Sequence, residues 1–342
     1  MEDIPKNAVH PIASSELKST ENNEHKINCT VTENHNKTVR EIMLSAVIMI
    51  AVAFFWAMST QLTKTILLLN PKYFYAPYFM VWFMTNFMIA SYPCYLSLAL
   101  LFGNSSLVTI HKEALIVYGQ NVNKIWSYFL LTILFLFFWM LANYAYSQSL
   151  GHISASASSS IMSCNTAMIT VLAWIILRDR FISFKLISVG AAIAGVVIIS
   201  VDKEFAGDSF GVFLSILSAF SAAFYKVLFK KFHGNASIGQ VSLFLTGLGL
   251  LNFFFNSIPA LLLLLMKAEI FTWSAVPWIP LFGVAFLSYL FNFLINFGIV
   301  LTHPLIISIG MLLGIPISAG NYYMQIIAGT ESATTKLRYE LN

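Results

Sequence analysis

The chain has 342 residues, of which 58% are hydrophobic and 10% are charged, and its formal net charge is +4. This composition is typical of a protein that crosses a lipid bilayer several times, and the short polar intervals leave no room for a soluble catalytic domain. The basic residues are scattered through loops and form no basic face on a polar scaffold. We therefore expect the lipid bilayer, and no nucleic acid, as a partner.

The amino-terminal segment is polar. Residues 1–42 are rich in Asn, Glu, Lys and Ser and contain no apolar run, which predicts a disordered cytoplasmic tail. A signal peptide would carry its apolar region nearer to the amino terminus. We therefore predict that the first apolar segment is an uncleaved anchor.

Eight apolar segments follow in chain order, and most reach the roughly 20 residues that a membrane-spanning helix needs. They are Met43–Leu67, Tyr75–Phe102, Trp126–Ser147, Ser154–Leu177, Phe184–Val201, Phe210–Phe229, Val241–Met266 and Trp278–Leu301. A ninth begins at Pro304, and residues 328–342 are too polar to span. We predict an all-α polytopic membrane protein with nine helices evident and a polar C-terminal tail.

Lysine and arginine fall unequally on the two sides of the predicted membrane. Up to the ninth segment, thirteen lie on the side of the amino terminus and four on the other. Basic loops favour the cytoplasmic side, so we predict a cytoplasmic amino terminus. Both the plasma membrane and the Golgi or another endomembrane fit this pattern.

The first and sixth segments share a short sequence pattern. Lys64 of the first matches Lys230 of the sixth, within a stretch that keeps a constant offset of 166 residues. Because five helices separate the two starts, the second copy runs in the opposite direction. Inverted repeats suit transporters that work by alternating access, with the substrate bound between the repeats near the midplane. We predict one five-helix repeat over 43–201 and a second over 208–327, of which four helices are evident.

Three stretches resemble the drug/metabolite transporter superfamily and, within it, solute carrier family 35, subfamily F. They are Ser163–Phe181, Ser221–Lys230 and Phe291–Pro316. The branch that they most resemble contains thiamine transporters. The resemblance implies ten helices in two inverted repeats and a cytoplasmic amino terminus. No tenth apolar segment follows the ninth, so a truncated, non-transporting isoform that acts as a membrane partner is an alternative.

Polar side chains inside the apolar segments are expensive to bury in lipid, which makes them candidate substrate contacts. The candidates are Gln61, Asn143, Tyr144, Tyr146, Asn165, Thr166, Lys226, Asn292 and Asn296. Asn143 and Tyr146 share a helix face, as do Asn292 and Asn296. The alternative for all of them is hydrogen bonding between helices.

Charged residues within the segments are few. Lys64 is expected to reach the outer interface, and Lys226 either faces the substrate or extends its stem toward the cytoplasmic headgroups. Every acidic residue lies outside the apolar segments, which disfavours ion coupling through an intramembrane carboxylate. His303 is a candidate proton relay, although a cytoplasmic loop histidine is the plainer interpretation.

The family resemblance implies a cationic heterocycle such as thiamine as the substrate. Such a cation would have to be held by aromatic faces through cation–π attraction, and 15% of the residues are aromatic. A nucleotide sugar of the Golgi is the alternative, but its phosphates would need several inward lysines or arginines. A membrane enzyme would need paired acids, a metal cluster or an activated nucleophile. We predict a secondary carrier of a small molecule rather than an enzyme, with no cofactor and no metal site.

The fifth segment carries a pair of small residues. Ala191 and Gly195 are four positions apart, a spacing that lets helices approach closely. It predicts packing or a homodimer through this helix. The three cysteines, Cys29, Cys94 and Cys164, are isolated and form no metal-binding pattern.

Overall fold

The computed structural model describes most of the chain between residues 43 and 314. The described ranges are 43–102, 106–118, 122–178, 208–234, 236–302, 304–311 and 313–314, with isolated helical positions between 187 and 198. The predicted tails, most of the fifth segment and His303 lie outside the described residues. Residues 1–47 and 48–342 form two units. Of the first, only 43–47, the start of a helix, is described, and the contacts given below lie within the second.

Seven helices in the described part of the chain are long and apolar enough to cross a membrane. They are Met43–Leu69, Pro77–Phe102, Phe129–His152, Ala157–Leu177, Ser209–His233, Ile238–Leu265 and Trp278–Leu301. They overlap the predicted first to fourth and sixth to eighth segments, so the prediction of an all-α polytopic membrane protein is confirmed. Three run further than predicted at their C-terminal ends, to Leu69, His152 and His233. In the last two, polar residues continue the helix.

The elements follow one another in chain order. They are α1 (Met43–Leu69), β1 (Phe74–Tyr75), α2 (Pro77–Asn86), α3 (Ser91–Phe102), α4 (Leu107–Leu115), α5 (Val122–His152), α6 (Ala155–Met162), α7 (Cys164–Leu172), α8 (Ser209–His233), α9 (Ile238–Leu251), α10 (Ser257–Leu265), β2 (Ile270–Phe271), α11 (Trp278–Leu301) and α12 (Pro304–Met311). A 3-10 turn joins α2 to α3 and a π-helical stretch joins α9 to α10, so each pair forms one span.

Polar side chains fix where several helices begin. Ser154 accepts a hydrogen bond from a backbone amide of α6, and Asp208 accepts one from α8. Ser237 and Gln240 form a reciprocal capping box at the start of α9. These caps satisfy amides that have no partner within the helix.

A two-stranded antiparallel ribbon connects distant parts of the sequence. Phe74 lies opposite Phe271, and Tyr75 opposite Ile270. Beside this ribbon, the Glu269 carboxylate accepts hydrogen bonds from the first amides of α2, at 2.5 Å from Tyr78 N and from the next residue at 3.2 Å. A carboxylate at a helix N-terminus is stabilised by the helix dipole. Burial nevertheless raises the pKa of Glu269, while these two hydrogen bonds lower it.

The core is centred on α8, the most buried of the seven spans. It packs most extensively against α5 and also contacts α6, α7 and α11. Close helix approaches occur at glycines. A Cβ at Gly249 of α9 would lie 2.8 Å from the backbone nitrogen of Ile89, which explains why no larger residue stands there.

The described positions of the fifth segment are helical. Ala191 is exposed, and a Cβ at Gly195 would meet nothing within 4 Å. The predicted homodimer through this helix stays a prediction.

Candidate functional site

A central cavity lies between α1, α5, α6, α8, α11 and α12. Five aromatic side chains contribute to its wall, namely Trp56, Trp139, Tyr146, Tyr225 and Phe291. The polar members of the described wall are Asn143, Ser218 and Lys226. The cavity volume is about 50 Å³, which holds a few water molecules at roughly 10–15 Å³ each. A solute with a ring therefore requires these side chains to move apart.

The aromatic wall is held in place by ring contacts. The ring centroid of Trp56 lies 4.8 Å from that of Tyr146 and 5.2 Å from that of Phe291. Across the cavity, Trp139 and Tyr225 are 5.4 Å apart. Pairs at these separations stabilise one another beyond their buried area, so the wall is a set of ordered ring faces.

Hydrogen bonds orient the same rings. Trp139 Nε1 donates to Thr85 Oγ1 at 3.1 Å. The Tyr146 hydroxyl lies 3.2 Å from Thr60 Oγ1 and 3.3 Å from Ser159 Oγ. Since a buried hydroxyl or indole N–H needs a partner, these contacts fix which ring edges face the cavity.

Lys226 places an amino group at the cavity wall. It lies on α8 and is 4% exposed. Its Nζ donates to Asn165 Oδ1 at 2.9 Å and to Ser308 Oγ at 3.0 Å, and it lies 3.3 Å from Met311 Sδ. The Lys226 stem therefore ends on groups inside the helix bundle, and its role as a substrate contact stays a prediction.

A hydrogen bond to the backbone of α8 fixes the orientation of Asn165, the nearest acceptor of Lys226. Asn165 Nδ2 donates to the Ala219 carbonyl at 2.6 Å, which turns Asn165 Oδ1 toward Lys226. No ion pair involves Lys226 within the described ranges. A buried ammonium without a carboxylate is costly in an apolar interior, so this lysine stands out from ordinary helix packing.

A smaller polar pocket adjoins the central cavity. The two share Trp56, Met162 and Met311 in their walls. The remaining described wall of the smaller pocket is polar, with Ser159, Ser163, Asn165, Thr166 and Ser308. Lys226 and its partners Asn165 and Ser308 thus lie where an aromatic chamber meets a group of hydroxyls.

The predicted candidates divide into two sets. The first lies at the cavities: Asn143, Tyr146 and Lys226 line the central cavity, and Asn165 and Thr166 line the polar pocket. The second set, Gln61, Tyr144, Asn292 and Asn296, is absent from both described walls. His303 lies outside the described residues.

Helix geometry explains the second set. α11 presents Phe291 and Ile295 to the cavity, and the next residue along a helix points about 100° away. Asn296 instead accepts a hydrogen bond from the Tyr225 hydroxyl at 3.0 Å and donates to the Asn292 carbonyl at 2.8 Å. It therefore positions a wall residue without lining the cavity.

Tyr144 lies on another face of α5. Its ring is 5.4 Å from that of Tyr78, and both line a separate groove with Asn256. Gln61 is buried on α1, and its backbone carbonyl accepts a hydrogen bond from the Thr65 hydroxyl.

Sequence reasoning missed Trp56, Phe291 and Ser308, because aromatic and small residues are common in any membrane helix. The repeat offset contains a usable signal. It pairs Trp56 with Ala222, and both lie in the cavity wall.

Two further lysines bind helix ends. Lys64 Nζ donates to the carbonyls of Leu150 at 2.8 Å and Ile153 at 2.6 Å. Lys230 Nζ donates to three carbonyls at the end of α11, of which Thr302 is nearest at 2.9 Å. Cations are stabilised at helix C-termini by the unpaired carbonyls and the dipole. Both ammonium groups are therefore bound by backbone carbonyls.

Among the described residues, no group of three or more His, Cys, Asp or Glu side chains could hold a metal ion. What the site can do is bind: it combines flat aromatic faces, one amino group and several hydroxyls in an apolar bundle.

Comparison with known proteins gives close matches among solute carriers. The chain is 33% identical to Solute carrier family 35 member F3 of Homo sapiens over 297 residues, which is 84% of this chain and 69% of the relative. The mouse protein of the same name is 32% identical and covers 86% and 72%, respectively. Solute carrier family 35 member F4 of Mus musculus is 35% identical over 74% of this chain and 52% of its own length.

No family model matches the chain. A solved crystal structure has a TM-score of 0.44 and 12% identity, and covers 83% of this chain and 99% of its own. It is too distant to inform the site.

Proposed function

Since this chain belongs to solute carrier family 35, subfamily F, and is an integral multi-pass membrane protein, we propose that it moves a small flat heterocycle, first of all thiamine or a similar cation. Its relatives are solute carriers, so it is a solute carrier in general terms. The choice of substrate is our proposal.

The observation that carries the proposal is the aromatic wall of the central cavity. Trp56, Trp139, Tyr146, Tyr225 and Phe291 all contribute to it. Ring faces stack on a flat heterocycle and attract a cation that lies over them, which contributes about 0.5–2 kcal/mol for each well-placed ring. A heterocyclic cation would satisfy both conditions.

Alternating access fits a cavity of this size. A volume of about 50 Å³ is too small for a heterocycle, so the surrounding helices must move apart before one can bind. The matching contacts of Lys64 at the C-terminal end of α5 and of Lys230 at the C-terminal end of α11 support our proposal of two inverted repeats over 43–201 and 208–327. We also propose a cytoplasmic amino terminus, from the excess of basic residues on that side.

A nucleotide sugar is less well supported. Its diphosphate would need several basic groups, and Lys226 is the basic residue in the described cavity wall. Lys64 and Lys230 already donate to backbone carbonyls. A solute with at most one anionic group suits this chemistry better.

The test is uptake of labelled thiamine into vesicles that carry the purified chain. We expect saturable uptake above that of protein-free vesicles. Trp56→Ala is expected to lower uptake about 3- to 30-fold, because it removes one ring face. Tyr144→Phe is the matched control, since Tyr144 lies outside the cavity wall. Absence of saturable uptake of thiamine and related heterocycles would refute the proposal, and so would equal effects of the two substitutions.

A further inference from the structure

We propose that Lys226 and the polar pocket beside it bind an anionic group of the substrate. The carried solute would then be a flat heterocycle with one carboxylate or phosphate monoester, the ring lying against the aromatic wall. This inference rests on the proposed function and specifies its substrate class.

The first support is the environment of the amino group. Lys226 Nζ is surrounded by neutral groups: an amide oxygen, a hydroxyl and a thioether. Charged groups inside membrane spans are rare and mark substrate or ion pathways. Within the described ranges no carboxylate pairs with this lysine, and an anionic substrate would supply the missing negative charge at the cavity itself.

The second support is the composition of the polar pocket. Ser159, Ser163, Thr166 and Ser308 bring hydroxyls to its wall, and a hydroxyl can rotate to donate to an incoming oxygen. Asn165 adds an amide to the same wall. A lysine beside several rotatable donors can hold a carboxylate or phosphate from several directions.

The third support is that the two pockets are neighbours. They share Trp56, Met162 and Met311 in their walls, so a solute that moves these side chains apart would contact both. A ring stacked at Trp56 would leave a short substituent within reach of Lys226. The arrangement also accepts a zwitterion, with a cationic ring at the aromatic faces and an anion at the lysine.

The competing explanation is structural. Lys226 connects α8 to α7 through Asn165 and to α12 through Ser308, and this connection alone would explain its burial. In that case its replacement would affect every solute equally. Selective effects on anionic solutes distinguish binding from packing.

The experiment compares uptake of thiamine and thiamine monophosphate, which carry the same rings and differ in one phosphate group. The variants are Lys226→Met, Lys226→Arg and, as a matched control, Lys231→Met on the exposed side of α8. We expect the native chain to prefer the phosphate. Lys226→Met should lower phosphate uptake at least 10-fold while thiamine uptake stays or rises, and Lys226→Arg should retain the preference for the phosphate. Lys231→Met should match the native chain.

Other outcomes overturn the inference and leave the proposed function intact. These are a native preference for thiamine, or an equal loss of both solutes in Lys226→Met when that variant is as monodisperse and thermally stable as the native chain. If Lys226→Met does not fold, Lys226→Arg decides, since loss of the phosphate preference in that variant refutes a role for positive charge.

If no variant carries either solute, the proposed function fails, and binding decides the inference separately. Quenching of tryptophan fluorescence would report ligands beside Trp56 and Trp139. The probes are nicotinate, nicotinamide and 1-methylnicotinamide, which present an anion, a neutral group and a cation on similar rings, with inorganic phosphate as a competitor. We expect nicotinate to bind at least 10-fold more tightly than the others in the native chain, and to lose this advantage in Lys226→Met. Equal binding of the three would refute the inference.

Discussion

Lys64 and Lys230 stand 166 residues apart and make the same contact at two different helix ends. Lys64 of α1 donates to the carbonyls at the end of α5, and Lys230 of α8 donates to those at the end of α11. In the proposed repeats, α1 corresponds to α8 and α5 to α11. A matched pair of this kind is what an inverted duplication would produce.

The first prediction concerns opening of the cavity. Lys64→Met removes charge-assisted hydrogen bonds at one end of α5, which stabilise by about 1.5–3 kcal/mol each when buried, and Lys230→Met does so at the end of α11. We expect each variant to favour opening of the cavity toward one side of the membrane, Lys64→Met toward the outer side and Lys230→Met toward the cytoplasm.

The measurement uses a cysteine in the cavity wall, Ser218→Cys, in a chain whose native cysteines are replaced by serine. A membrane-impermeant thiol reagent is added from one side at a time. Faster labelling from opposite sides in the two lysine variants is the expected result. Faster labelling from the same side in both variants would contradict the prediction that the two contacts close opposite sides of the cavity.

The second prediction concerns Asn296, which contacts the cavity through Tyr225. Asn296→Ala removes the acceptor of the Tyr225 hydroxyl, and a double-mutant cycle with Tyr225→Phe should give a coupling of about 0.5–1.5 kcal/mol in thermal unfolding. Uptake should fall in Asn296→Ala because the ring loses its fixed orientation. Additive effects of the two substitutions would show that this hydrogen bond does not contribute.

The third prediction concerns pH. Since burial raises the pKa of Glu269, the folded protein holds this proton more tightly than the unfolded chain. The associated stability is fully present below the unfolded pKa and is lost as pH rises through the folded pKa. Glu269→Gln should flatten this dependence above about pH 4.5.

Melting temperatures across this pH range would check the effect of Glu269. Glu113→Gln, at an exposed position of α4, is the control and should keep the native slope. An unchanged slope in Glu269→Gln would assign the dependence to other groups.

The fourth prediction compares two glycines. A Cβ at Gly249 would lie 2.8 Å from the Ile89 backbone, whereas one at Gly283 would lie 3.6 Å from a Leu62 methyl group. Gly249→Ala should destabilise by about 1–3 kcal/mol through overpacking. Gly283→Ala should be neutral or stabilise by up to about 1 kcal/mol, because alanine favours the helix. Thermal unfolding of both variants measures the difference, and equal effects would argue against a tight approach at Gly249.

The sequence predicted all seven spans found among the described residues. A helix that crosses an apolar solvent must itself be apolar over some 20 residues, and this can be read from the sequence. It predicted the inward lysine only as one of two orientations, since Lys226 stands near a helix end and its long stem can turn either way. The observed orientation is fixed by hydrogen bonds to Asn165 and Ser308, which lie on other helices. The spacing of Asn292 and Asn296 likewise did not predict which face of α11 lines the cavity, because a rotation of about 100° separates a wall residue from its neighbour.

The short ribbon between Phe74–Tyr75 and Ile270–Phe271 restricts how the bundle can move. Together with Glu269, which is bound to the first amides of α2, it fastens the connection after α1 to the connection before α11. Helices joined in this way cannot separate at that edge without breaking backbone hydrogen bonds. The ribbon therefore acts as a clasp, and we expect α2 and α11, which also pack against each other, to move together in any rearrangement that opens the central cavity.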